Sequence, residues 1–191
     1  MGIEHRTRVA IFASGTGSNF DAIMTNQDRG FDVVMVVCDR PKADVIGKAA
    51  GYGVETLVCD PANFPSKEAY EEEIAQKLSR KKVEFIVLAG YMRIIGATLL
   101  KKFEHKIVNI HPSLLPSFRG KDAVGQALDA GVKVSGVTIH YVDEGVDTGP
   151  IIAQEPVTVF PFDTRDSLQA RIQQVEHVLY TKVIDEILGE S

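Results

Sequence analysis

The stretch Thr7-Arg8-Val9-Ala10-Ile11-Phe12-Ala13-Ser14-Gly15-Thr16-Gly17-Ser18-Asn19 decides the fold. A strand with one wet face alternates apolar and polar residues. The unbroken apolar run from Val9 to Ala13 instead fits a strand covered on both sides. It runs into a turn with two glycines, and 19–25 then has a helical pattern. Strand, glycine turn and helix in that order open a βα unit of a parallel sheet.

The alternation continues outward. Strand patterns at 32–38, 54–58 and 83–89 interleave with helical patterns at 43–50 and 66–80. Ser66 follows Pro65 where a helix would be capped, and Glu68 lies in the first turn. This rhythm predicts a right-handed crossover at each step. The second half is less regular: a strand at 106–110, then a short helix at 122–130 capped by Asp122 and stopped by Gly131. Two strand patterns, 134–142 and 150–159, flank a loop of Asp, Glu and Gly and read as an antiparallel, hairpin-like extension. Asp163 opens a final helix to residue 188. The expected class is α/β: a doubly wound, mostly parallel sheet with helices on both faces and an antiparallel extension in the C-terminal half. With 191 residues and neither repeat nor linker, the chain reads as a single domain.

Composition excludes several classes. An apolar fraction of 45% and a charged fraction of 25% argue against general disorder. A net charge of −5 argues against nucleic acid, since the one basic cluster, Lys101, Lys102 and Lys106, is diluted by Glu104 and reads as a solvated helix end. Cys38 and Cys59 close apolar runs without metal-ligand spacing, which reads as two buried thiols in a reducing compartment. No apolar run approaches the roughly 18 residues of a membrane span, and the N-terminus lacks a signal-like segment. A cytoplasmic protein is expected, without membrane or nucleic-acid partners, as a monomer or homodimer.

Three places carry candidate chemistry. The turn Gly15, Thr16, Gly17, Ser18, Asn19 precedes a helix, whose free N–H groups and positive end suit one phosphate. It is no dinucleotide fingerprint, because Phe20 stands where the third glycine belongs, and no Gly-Lys-Ser/Thr follows. A ligand-free tight turn is the plainer alternative. Ser18 or Asn19 would cap the helix or bind an oxygen. In Ile107-Val108-Asn109-Ile110-His111-Pro112-Ser113-Leu114-Leu115-Pro116, Asn109 and His111 are two apart and share a strand face. Pro112 ends the strand, which puts both at its carboxyl end, where such sheets bind ligands. Their N–H donors suit a developing oxyanion. The loop Asp143-Glu144-Gly145-Val146-Asp147-Thr148-Gly149-Pro150 then offers Asp147, Asp143 or Glu144 as a carboxylate to orient His111 and favour its protonated form. A solvated acidic turn is the alternative, and no metal-ligand spacing accompanies it. On the last helix, roughly 100° per residue places Glu176 inside the apolar stripe and Gln173 at its edge. A buried carboxylate needs partners, whether sugar hydroxyls, an arginine or backbone amides. His177 points away from that stripe. No nucleophile elbow is present.

Taken together, Gly15 to Asn19, Leu88-Ala89-Gly90-Tyr91-Met92-Arg93-Ile94, Asn109 to Pro116, Val146 to Pro150 and Gln173-Gln174-Val175-Glu176-His177 resemble the folate-dependent formyltransferases, over about residues 8–187. The His-Pro-Ser-Leu-Leu-Pro run marks that superfamily. The glycine turn and the Glu176 helix resemble its purine-biosynthesis branch. The resemblance implies transfer of a formyl group from 10-formyltetrahydrofolate to the amine of glycinamide ribonucleotide, with no metal. It implies Asn109, His111 and Asp147 as the catalytic trio and Gly15 to Asn19 on the substrate phosphate. Glu176, with Gln173, falls on the ribose. Met92, Arg93, Ile94, Ile95, Asp143, Glu144, Gly145 and Val146 fall around the folate. The N-terminal half then holds substrate phosphate, and the C-terminal half holds folate and the chemistry. Lys67 stands where some relatives have Arg, and its role stays open. Two rivals share the superfamily motif: methionyl-tRNA formyltransferase, which usually adds a C-terminal RNA-binding domain, and formyltetrahydrofolate hydrolase, which usually adds an N-terminal regulatory one. A non-catalytic nucleotide-binding module is the rival of another class. It would use the glycine turn but has no need of an aligned Asn109/His111 pair.

Overall fold

The structure is a computed structural model that describes residues 5–189. Seven strands form one sheet in the order β3-β2-β1-β4-β5-β6-β7. These are β1 (Arg8–Ala13), β2 (Asp32–Cys38), β3 (Thr56–Val58), β4 (Phe85–Leu88), β5 (Ile107–His111), β6 (Val134–Tyr141) and β7 (Ile151–Thr158). The first five run parallel, and β6 and β7 add as an antiparallel pair. The helices are α1 (Ser18–Thr25), α2 (Asp44–Gly51), α3 (Lys67–Arg80), α4 (Ala97–Lys102), α5 (Ala123–Asp129) and α6 (Arg165–Gly189).

The expected class is the observed one, for the reason read in β1. Val9, Ile11 and Ala13 pack into one core and Ala10 and Phe12 into another, on opposite faces of the sheet. Side chains alternate across a strand, so a run buried on both faces must be apolar throughout. The first core takes α1 and α6, through Phe20, Ile23, Ile172 and Tyr180. The second takes α3 and α4, through Ile74, Leu78 and Leu99. Tyr180 ties α6 to the sheet, its hydroxyl donating to the Leu88 carbonyl at 2.8 Å with the Val108 carbonyl at 3.2 Å.

The expected caps hold on two helices: Ser66 Oγ accepts from Ala69 N–H, and Asp122 Oδ1 from Gly125 N–H. Three local readings change. β5 lies one residue later than expected and includes His111, and β3 is only three residues long. α4 is an additional helix. Its N-cap, Gly96, has no side-chain cap of its own, and the carboxylate that caps it comes from Glu71, 25 residues away on α3. Both cysteines are free and buried, as read. No described helix is long and apolar enough to cross a membrane.

Candidate active site

β1 has β2 on one side and β4 on the other. The chain leaves β1 for α1 on one face and leaves β4 for α4 on the other. A crevice opens at such a switch point. Ser14 ties β1 to the segment after β4: its N–H donates to the Gly90 carbonyl at 3.1 Å, and its hydroxyl accepts from Met92 N–H at 2.9 Å.

The phosphate turn lies on one rim. Gly17 takes φ 71° and forms the N-cap of α1 without a side-chain cap. A Cβ there would lie 2.7 Å from Val45 Cγ2, so both backbone conformation and space demand glycine. Val45 N–H donates to the Gly15 carbonyl at 3.1 Å, so α2 braces the turn. Of the two roles read for Ser18 and Asn19, the helix cap is taken by neither, which leaves the first-turn N–H groups for a ligand. Asn19 instead donates from Nδ2 to Glu176 Oε2 at 3.3 Å.

Glu176 is 6% exposed on α6, as the helical stripe indicates, and burial pushes its carboxyl up to about 7 against the opposing pull of the Asn19 hydrogen bond. Its partner is a side-chain amide, neither an arginine nor backbone N–H groups. Asn19 Oδ1 is buried without a partner. The pair therefore has unused hydrogen-bonding capacity facing the cleft, which a ligand hydroxyl can take up.

The opposite rim is made by β5, β6 and the following loop. Asn109 and His111 share a face of β5, and antiparallel pairing sets His140 of β6 directly opposite Asn109. Asn109 Nδ2 lies 3.3 Å from His140 Nε2. Of the three candidate acids, Asp147 reaches the imidazole: its Oδ2 is 3.3 Å from His111 Nδ1, and its Oδ1 is 3.6 Å from His140 Nε2. Gly120 N–H also donates to Asp147 Oδ2, at 2.8 Å. Desolvation opposes ionisation of Asp147. The His140 ring nitrogen 3.6 Å away, the Gly120 N–H and the neighbouring His111 outweigh it and hold the carboxyl below its ordinary range. The other nitrogen of His111, Nε2, lies 2.8 Å from the Phe118 carbonyl. Both ring nitrogens of His111 thus lie beside oxygen atoms, Nδ1 at Asp147 and Nε2 at Phe118.

Asp147 is aimed by its turn. Its φ is 53°, in the left-handed region that non-glycine residues seldom occupy. Asp143, read as an alternative partner of His111, accepts instead from Thr148 Oγ1 at 2.6 Å and Gly145 N–H at 3.0 Å, folding the turn on itself. Glu144, the third candidate, is exposed and lies outside the cleft lining.

One cavity of about 780 Å³ joins the two rims. Its lining includes Gly15 to Asn19, Met92 to Ile95, Asn109, His111, His140, Asp143, Gly145, Val146, Asp147, Gln173 and Glu176. That volume is ordinary for a small-molecule site. Met92 and Ile94 are 65% and 56% exposed at its edge, and Val146 is half-exposed. Such apolar side chains beside a cleft suit a flat ring. Arg93 Nε donates to the buried Asp39 at 2.8 Å. A second hollow of about 550 Å³ shares the 91–95 wall and extends to Lys67 and Lys121. Among the described residues no group of three His, Cys, Asp or Glu side chains is placed to hold a metal.

Sequence reading missed His140. Val-Thr-Ile-His-Tyr reads simply as strand, and only the pairing of β6 with β5 brings this imidazole to Asn109.

Known proteins resemble this chain in sequence and fold. Residues 7–184 match the formyl transferase family. The chain is 49% identical over 185 residues to phosphoribosylglycinamide formyltransferase of Bacillus subtilis, covering 95% of each. It is 41% identical to a trifunctional purine biosynthetic protein of Drosophila melanogaster, of which it spans 14%. The crystal structure of glycinamide ribonucleotide transformylase 1 from Geobacillus kaustophilus superposes with a TM-score of 0.94 at 53% identity, over 96% of this chain and 100% of that one. A family match, a sequence and a fold that agree along nearly the whole length place this chain in the formyl transferase family.

Proposed function

We propose that this chain transfers the formyl group of 10-formyltetrahydrofolate to the amine of glycinamide ribonucleotide, as a single catalytic domain. The observation that carries the reading is the cluster of Asn109, His111, His140 and Asp147 in the same cavity as the phosphate turn. The substrate phosphate sits on the amides of Gly15 to Asn19. The ribose hydroxyls engage Glu176 and Asn19, whose polar atoms have unused capacity, with Gln173 beside them. The folate ring lies along Met92 to Ile95, facing the loop that contains Asp143 to Val146.

The amine attacks the formyl carbon, a C–N bond forms and the carbonyl oxygen becomes an oxyanion. Asn109 Nδ2 has a second N–H beyond the one facing His140, and it can donate to that oxygen. The His111 imidazolium supplies positive charge. Its Nε2–H, now on the Phe118 carbonyl, turns its hydrogen bond to the oxyanion as the stronger acceptor without giving up the proton. The attacking nitrogen then loses a proton, the folate N10 gains one, and the bond from N10 to the formyl carbon breaks. Asp147, held ionised beside both imidazoles, sustains the imidazolium and assists this proton movement through water. Direct transfer requires no protein nucleophile, and both cysteines are buried.

The test is incubation with 10-formyltetrahydrofolate with and without glycinamide ribonucleotide, followed by folate absorbance. Turnover that requires the ribonucleotide is expected. Folate turnover without it would mark a hydrolase, and no turnover with either would mark a binding module.

A further inference from the structure

Glu71 lies on α3, 3% exposed, and is absent from the chemistry above. Its two oxygens are both spent on backbone: Oε1 accepts from Gly96 N–H at 2.5 Å and Oε2 from Leu99 N–H at 3.3 Å. Gly96 is the residue immediately after the 92–95 wall. A Cβ at Gly96 would lie 2.8 Å from Glu71 Oε1 and 2.8 Å from the Lys67 Cε. Glycine thus permits the carboxylate to close on the backbone from one side while the Lys67 stem covers it.

Besides the Arg93–Asp39 pair within it, the wall has a backbone anchor at each end. At its start Met92 N–H is held by Ser14 Oγ, and at its end Gly96 N–H is held by Glu71. Between them Ile95 is buried in the core beside Leu99, while Met92 and Ile94 turn outward. A short irregular segment with no ladder of its own takes its shape from such anchors.

We propose that Glu71 is a positioning residue for the formyl donor: its carboxylate, clamped on Gly96 and Leu99, sets where the 92–95 wall meets the folate ring. This rests on the reading of 92–95 as that wall. A clamp acting only on this wall changes donor recognition and leaves the phosphate turn and the Asn109–His111–Asp147 cluster in place. A purely structural cap would lower the melting temperature and shift every kinetic constant together.

Three variants test it: Glu71→Gln, Gly96→Ala, which presses on the same clamp from the other side, and Ile94→Ala, which alters the wall itself. KM for 10-formyltetrahydrofolate, KM for glycinamide ribonucleotide and kcat are measured for each, with the melting temperature. Loss of a charge-assisted hydrogen bond predicts that Glu71→Gln raises the donor KM about tenfold. Gly96→Ala is expected to do likewise, with the ribonucleotide KM and kcat close to the parent's. Unchanged donor KM in both clamp variants overturns the proposal, as does a parallel loss in all three constants. Ile94→Ala separates the two levels. If it raises the donor KM while the clamp variants do not, Glu71 alone is excluded. If it leaves the donor KM unchanged, the wall reading falls and the proposal falls with it.

Discussion

At the carboxyl end of β1 the cleft offers backbone amides, held in place because Gly17 fits against Val45 and a side chain would not. At the carboxyl end of β5 and along β6 it offers four side chains, Asn109, His111, His140 and Asp147, held in place by one another. The first rim is a matter of shape. Its amides stay where they are whatever ionises nearby. The second is a network in which each group is another's partner, so removing one leaves a buried donor or acceptor unpaired. A fixed rim suits an anion whose charge is constant through the reaction. A coupled rim suits atoms whose charge changes during it.

The contrast can be broken, and the largest effect is expected on the coupled rim. Asp147→Asn keeps the volume but removes the charge that sustains the imidazolium. It should lower kcat on the order of 10²–10³-fold, the loss typical of a group aimed at a developing charge, while both substrates still bind. Near-normal kcat in single-turnover measurements would remove Asp147 from the mechanism.

Glu176, joined to the fixed rim through Asn19, gives the next effect. Its carboxyl is raised from 4.5 to about 7 in the folded chain. Its contribution to stability is therefore fully present below pH 4.5 and is lost as pH rises through about 7. Keeping it ionised in the fold costs about 3 kcal/mol above that window. Glu176→Gln has no such dependence, so its melting temperature should gain on the parent's as pH rises from 4.5 to about 7 and level off above, while its ribonucleotide KM rises. A constant difference in melting temperature across that window would show that Glu176 does not titrate there.

Gly17→Ala tests the fixed rim. A left-handed φ for a residue with a Cβ costs roughly 1–2 kcal/mol, and the Val45 contact adds to it. Stability and ribonucleotide affinity should fall together, with kcat at saturation nearly preserved. A fall in kcat with unchanged KM would mean that the turn acts in the chemistry rather than in holding the phosphate.

Tyr180→Phe is the smallest of the set. The hydroxyl serves the neighbouring strands β4 and β5 together. Its loss should cost about 1 kcal/mol in denaturant unfolding and leave the balance between kcat and KM unaltered. A selective kinetic defect would show that α6 transmits more than packing.

Legibility followed the range of the interactions. β1, the glycine turn and the pairing of Asn109 with His111 on one face were readable because each is local: burial pattern, turn and strand period all lie within a dozen residues. Glu176 was readable as buried from its helical position, but its partner was not, since Asn19 is 157 residues away. The acid was narrowed to three candidates. The choice of Asp147 over Asp143 depends on how the turn folds, with Asp143 spent on Thr148 and Gly145. His140 needed the β5–β6 register. α4 was missed because its cap belongs to another helix.

The turn around Asp147 has a consequence for how this chain can change over generations. A Cβ on Gly149 would run into the Tyr141 carbonyl, and one on Gly145 into the Thr148 hydroxyl. Neither glycine touches the imidazoles, yet a methyl group on either would swing the aspartate away from them. Glu144, just before Gly145 and exposed to water, faces no such barrier. Drift in this lineage should therefore rewrite position 144 readily while 145 and 149 stay closed to every larger residue, a pattern that saturation mutagenesis with growth selection would reveal directly.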